Sequence, residues 1–138
     1  MNSDDAILNK CSAIERCLKR IREEYQSVED LFGTNFTKQD SIVLNLQRAC
    51  EASIDLANYI VKKRKLGIPQ QSREAFDFLV SSGIIPLELS EKMKKMVGFR
   101  NLAIHAYQAL DMKVVKSIVE DHLQDFSAFT SHLIKQNL

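Results

Sequence analysis

The sequence predicts an all-α fold, an up-and-down helical bundle of four long helices plus a short helix, on three observations. Four glycines and two prolines in 138 residues leave few places to break a helix. Apolar residues return every three or four positions through most of the chain. With 45% hydrophobic and 27% charged residues, the composition is that of a compact domain able to bury one core.

The elements follow in order. Ile7, Cys11, Ile14, Leu18, Ile21 and Tyr25 step by four and three, which puts one apolar stripe on a first helix from about Asp5 to Tyr25. The stretch QSVEDLFGTNFTKQD holds Gly33 and Asn35 and reads as a turn or short helical piece. A second helix begins near Lys38 to Asp40 and runs to about Lys65. Ile42, Leu46, Ala49, Ser53, Leu56 and Ile60 lie on one side, widened by Val43, Cys50, Ala57 and Val61. Lys62, Lys63, Arg64 and Lys65 fall in its last turns, where positive charge suits the helix C-terminus, and Gly67 and Pro69 stop it. Ser72 caps a short helix through Val80 that turns Phe76, Leu79 and Val80 inward and ends at Ser81 to Gly83. Ser90 caps a fourth long helix continuing to Leu110, and Asp111 marks a break. The last helix runs from about Met112 toward Lys135, with Val115, Ile118, Val119, Phe126, Phe129 and Leu133 inside. No repeat, low-complexity tract or polar linker divides the chain, so residues 1–138 are expected to form a single domain.

Charge and cysteine usage exclude several functions. Nineteen Lys and Arg against eighteen Asp and Glu leave a net charge of +1, which argues against a broadly basic surface and leaves room for a local basic cleft. Cys11, Cys17 and Cys50 cannot all pair within the chain and lack CxxC or His-rich spacing, so they read as buried thiols in a reducing, cytoplasmic compartment. The start, MNSDDAILNK, is acidic and unlike a secretion signal, and no apolar run approaches the roughly 20 residues that cross a bilayer. No membrane association and no metal site are expected. His122 and His132 join no HxxxH or HExxH pattern and read as structural or surface residues. Asp4 and Asp5, Glu23 and Glu24, and Glu120 and Asp121 read as caps or solvated faces. The absence of an RNP-like aromatic pattern or a Gly-rich phosphate loop leaves base-specific recognition without a sequence signal.

The chemically informative segment is GFRNLAIHAYQAL, from Gly98 to Leu110. Met96, Phe99, Ala103, Ala106 and Leu110 trace a core stripe, and Arg100, Asn101, His105, Tyr107 and Gln108 decorate the rest. On an ideal helix Asn101 and His105 are one turn apart, whereas Arg100 and His105 differ by about 140° around and roughly 7.5 Å along the axis. Bringing those two to one phosphate needs the reach of Arg100, an irregularity near Gly98, or a second copy across a two-fold axis. An imidazole exchanges protons near physiological pH, as general acid and base work requires, and a guanidinium fork suits phosphate oxygens. From chemistry alone a second account stands beside this one: His105 as a hydrogen-bonded interface residue, Arg100 as partner of an acidic helix, and Tyr107 as an interface aromatic.

Arg100-Asn101-Leu102-Ala103-Ile104-His105 resembles the Arg, four residues, His signature of the HEPN superfamily of helical ribonucleases. With Tyr107 added, RNLAIHAY resembles the HepT toxins, which pair with a minimal nucleotidyltransferase antitoxin called MntA. The resemblance implies a HEPN-like bundle and the toxin of a toxin-antitoxin system. It implies a metal-independent endoribonuclease that cleaves tRNA or mRNA at a homodimer interface, with Arg100 and His105 catalytic and Asn101 supporting. It also implies AMPylation of Tyr107 by the antitoxin, using ATP and magnesium that RNA cleavage itself does not need. Lys92, Lys94 and Lys95, and Lys62 to Lys65, are possible RNA contacts beside the ordinary role of solvated charge. The competing functions are a non-catalytic helical module that binds a nucleotidyltransferase, and a purely structural homodimer.

Overall fold

The computed structural model describes residues 4–136, so the ends of the expected 1–138 domain lie outside the described residues. Among those residues every regular element is helical: α1 (Asp5–Gln26), α2 (Phe36–Lys63), α3 (Ser72–Ser81), α4 (Leu87–His105), α5 (Met112–Ser117) and α6 (Leu123–Lys135). A π turn, Ile118–His122, joins α5 to α6, and 3-10 turns occupy Glu29–Leu31 and Tyr107–Ala109. The α5-π-α6 run is one long interrupted helix, so the expectation of four long helices and a short one holds.

Named contacts give the topology. Asp4 caps α1 by accepting from the Ala6 amide at 2.8 Å, and its other oxygen accepts from Tyr59 Oη and Lys63 Nζ, each at 2.6 Å. Lys10 meets Asp55 at 2.6 Å and Lys38 meets Glu24 at 2.7 Å, so α1 and α2 run antiparallel. Lys94 on Asp77 at 2.8 Å and Arg100 on Ser72 at 3.2 Å set α4 antiparallel to α3, and the Gln136 side-chain amide, donating to the Ile84 carbonyl at 3.4 Å, returns the last helix beside the start of α4. Ser127 and Thr130 of α6 reach Glu15, which closes the bundle onto α1.

One hydrophobic cluster runs through all the long helices. The whole predicted α1 stripe is buried, as are both predicted sides of α2. Phe76, Phe126 and Phe129 are fully enclosed, and the Phe76 and Phe129 rings meet edge to face at 5.5 Å, joining α3 to α6. Cys11 and Cys50 are buried and Cys17 is half-buried, all as free thiols. Burial pushes the Cys11 thiol up to about 11.

The boundaries differ from the sequence expectation for local reasons. Asn35 accepts from the Lys38 amide at 3.0 Å and starts α2 at Phe36, earlier than Lys38. At its other end α2 stops at Lys63, before Gly67. Lys65 takes a left-handed φ of 54°, its amide bonds the Lys62 carbonyl and the Leu66 amide bonds Val61, which is the paired closure usually built on glycine. Gly83, at φ 75°, makes the same closure after α3. Ser72 is the first residue of α3 rather than its cap, because extended Gln71 holds that position. Ser90 does not cap α4 either: extended Pro86 precedes a helix that starts at Leu87, and the Ser90 hydroxyl is buried inside it without a partner among the described residues. The last expected helix is broken by the π turn, where the Tyr25 hydroxyl donates to Glu120. Burial, with Glu120 adding to it, pushes the Tyr25 phenol well above its ordinary range.

Candidate active site

The final turns of α4 carry Arg100, Asn101 and His105. Arg100 is half-buried against α3, where its Nη2 donates to Ser72 Oγ at 3.2 Å while its Nε is enclosed without a partner among the described residues. Its charge reaches Cys50 of α2, where it partly opposes the burial that pushes that thiol up to about 12. Asn101 and His105 are exposed one turn apart, and among the described residues neither side chain hydrogen-bonds to another. The helix is regular through Gly98, so no local irregularity draws Arg100 and His105 together. Gly98 instead makes room for a neighbour: a Cβ there would stand 2.9 Å from Arg73 Nη2. No hydrogen bond joins Arg100 to His105 within the chain, which leaves arginine reach or a second copy as the route to one phosphate.

The helix ends at His105 and not, as the spacing suggests, at Leu110. Ala106 leaves the helical region at φ −148° and ψ 55°, its amide still bonding Leu102, and Tyr107–Ala109 then form a 3-10 turn. His105 is thereby the last helical residue, presented beside a tight turn rather than along a helix face. Ala106 and Leu110 are only half-buried, so the core stripe ends at Ala103. Tyr107 is 39% exposed, and its hydroxyl donates to the carboxylate of Asp40 in the second turn of α2. Burial first, and Asp40 second, push this phenol up to about 12, so it is protonated at ordinary pH. Asp40 has no signature in the sequence: it lies 67 residues from Tyr107, and only the antiparallel packing of α2 and α4 joins them.

Around this end of the bundle apolar side chains face solvent, among them Leu44, Leu102, Ile104 and Val114, each at least 40% exposed. A groove of about 640 Å³ runs between α4 and α5, floored by Met96, Phe99, Leu102, Leu110 and Val114. Lys92 and Lys95 stand at its rim with His122 and Asp125. Lys92 lies 4.0 Å from Asp125, and Lys94 is held by Asp77, so Lys95 is the member of that trio without an acidic partner among the described residues. Lys62, Lys63, Arg64 and Lys65 sit at the far end of α2, roughly 33 Å from Asp40 at 1.5 Å per residue. Lys63 is engaged by Asp4 at 2.6 Å. His122 Nδ1 lies 3.1 Å from Asp125, a local partner that fits its structural reading, and His132 is half-buried on α6. Among the described residues no helix is long and apolar enough to cross a membrane.

Comparison with known proteins bears on this geometry. The family model described as "Ribonuclease HepT-like" matches residues 14–133. The "mRNA nuclease HepT" of Shewanella oneidensis is 48% identical over 126 residues, covering 91% of this chain and 94% of that protein. A "tRNA nuclease HepT" of Aphanizomenon flos-aquae is 25% identical over 127 residues, covering 92% of this chain and 86% of that one. A solved structure of the tri-AMPylated Shewanella oneidensis HEPN toxin in complex with MNT antitoxin superposes with a TM-score of 0.90 at 46% identity, over 96% of this chain and 98% of that one. The signature that ends α4 and the bundle that presents it therefore have one common source: the chain belongs to the HepT-like ribonuclease family.

Proposed function

We propose that this chain is the toxin of a toxin-antitoxin pair, a metal-independent endoribonuclease that works as a homodimer and is silenced when a cognate MntA-like nucleotidyltransferase transfers AMP to Tyr107. The observation that carries it is the Arg-x4-His pair ending α4, in a chain of this family with an accessible tyrosine two residues beyond. Arg100 supplies a fixed positive charge to the non-bridging oxygens of the scissile phosphate. His105 moves the protons: one leaves the attacking 2'-hydroxyl, and one reaches the departing 5'-oxygen, giving a 2',3'-cyclic phosphate and a 5'-hydroxyl. Asn101, one turn from His105 on the exposed side, orients the imidazole or the phosphate.

Self-association is supported by the exposed Leu102, Ile104 and Val114 beside the site and by the apolar groove they adjoin. A two-fold axis there supplies a second Arg100 and His105 and answers the 140° separation within one helix. Modification adds a negative phosphodiester two residues from His105, which repels an RNA backbone and fills the space it needs. Lys95 and Lys92 lie nearer this site than Lys62 to Lys65 and are the better placed RNA contacts.

The test is expression with and without the partner nucleotidyltransferase, followed by mapping of RNA ends for wild type and His105→Ala. Cleavage with 5'-hydroxyl ends that vanishes in the variant, persists in excess chelator and stops once AMP mass is found on the Tyr107 peptide is expected. Unchanged cleavage by His105→Ala rejects the catalytic assignment. Partner binding without any cleavage by wild type instead favours a helical binding module, and a solution mass of one chain across a concentration series rejects the homodimer.

A further inference from the structure

We infer that the toxin contributes a catalytic group to its own silencing: Asp40 accepts the phenolic proton of Tyr107 as AMP is transferred. The inference rests on the reading of Tyr107 as the AMP acceptor and adds the residue that makes it reactive.

The geometry is specific. Among the described residues the Tyr107 hydroxyl has one partner, the Asp40 carboxylate, and both residues are exposed at the surface where a partner enzyme can reach them. A phenol held protonated is a poor nucleophile, and burial together with the neighbouring carboxylate keeps this one protonated. It must therefore lose its proton during attack, and the acceptor already in hydrogen-bond contact with that proton is Asp40. Asp40 is fixed for the task by its place in the second turn of α2, while the 3-10 turn after His105 fixes the phenol. No ion pair competes for the Asp40 carboxylate among the described residues.

Tyr107 Oη attacks the α-phosphorus of ATP, the Oη–Pα bond forms, and the bond from Pα to the bridging oxygen breaks with its electron pair leaving on pyrophosphate. The phenolic proton passes to an Asp40 carboxylate oxygen and from there to water. The new ester oxygen carries no hydrogen, so the contact with Asp40 is lost and two negative groups are left side by side. The product is thereby pushed away from the carboxylate that helped to form it.

The test uses the toxin in complex with its nucleotidyltransferase, with ATP and magnesium, following AMP mass on the Tyr107 peptide over time. Asp40→Asn keeps the shape and a hydrogen-bond acceptor but cannot take the proton. It should slow the turnover rate of transfer by at least about tenfold, with the KM for ATP and the affinity for the antitoxin unchanged. Asp40→Glu, which restores a carboxylate, should recover part of the rate. Transfer to Asp40→Asn at the wild-type rate overturns the role of Asp40 alone. A loss confined to KM or to partner affinity also overturns it, because that marks a docking contact. Absence of AMP on Tyr107 in the wild-type complex overturns the acceptor assignment, and the role of Asp40 falls with it.

Discussion

Replacing Arg100 by methionine should separate catalysis from stability. The enclosed Nε has no partner among the described residues, and a buried unsatisfied donor costs about 1–3 kcal/mol. Against this, the bond from Nη2 to Ser72 Oγ involves a charged donor, a class that contributes about 1.5–3 kcal/mol, and at 3.2 Å it lies at the long end of its range. The two effects nearly cancel. Methionine keeps the unbranched stem that packs between α3 and α4 and discards both polar terms. Unfolding free energy is therefore expected within about 1 kcal/mol of wild type, a melting shift of no more than about 4 °C in either direction. Cleavage should fall far more, about 100-fold or beyond, the usual loss when one donor to a developing phosphate charge is removed. The assay is paired: denaturant unfolding and initial cleavage rates on the same preparation. Cleavage within about threefold of wild type would refute the catalytic role, and destabilisation beyond about 2 kcal/mol would show that Arg100 is held for packing.

Three further outcomes follow from the fold. Phe76→Ala removes a fully buried ring that meets Phe129 edge to face and should cost about 3–5 kcal/mol, lowering the melting temperature by roughly 10–17 °C in calorimetry; a loss under 1 kcal/mol would contradict the described packing. Lys65→Gly relieves an L-residue held at φ 54° and should stabilise by about 0.5–1 kcal/mol in denaturant titration, so a destabilised variant would argue against that closure. Asp4→Asn keeps the helix cap and removes the charge. Bonds from Lys63 first and Tyr59 second hold the Asp4 carboxyl well below its ordinary value of 3.8, so its stabilisation is complete above that pH and is lost as pH falls below it. Wild type should exceed the variant in stability at neutral pH and converge with it in acid; a difference that grows on acidification would reverse the sign.

The long helices were legible because burial writes a period into the chain. All six residues of the α1 stripe and all ten of the two α2 sides are buried, since a helix with one or two packed faces must repeat its apolar residues. The same regularity misled at the end of α4. Ala106 and Leu110 continue the period by residue type, while the backbone has already turned at Ala106. Ser72 and Ser90 were misplaced because a serine before an apolar run looks like a cap wherever its hydroxyl goes; one serves Arg100 and the other is buried in α4. At the site, the spacing of Arg100, His105 and Tyr107 lies within eight residues and could be read directly. Asp40 could not, because its link to Tyr107 exists only after α2 and α4 pack.

The π turn at Ile118–His122 has a meaning for chain length. Five residues at about 4.4 per turn rotate by roughly 410°, and four at the α-helical 3.6 rotate by about 400°. The segment thus absorbs one surplus residue without rotating what lies on either side. Deleting one position there would let a plain helix close with Val115, Phe126 and Phe129 still facing inward. The same deletion in the middle of α1 would swing the rest of that helix by about 100° and bring charged residues toward the core. Natural variation in length within this bundle should therefore collect at the π turn, where Tyr25 and Glu120 hold the surplus in place.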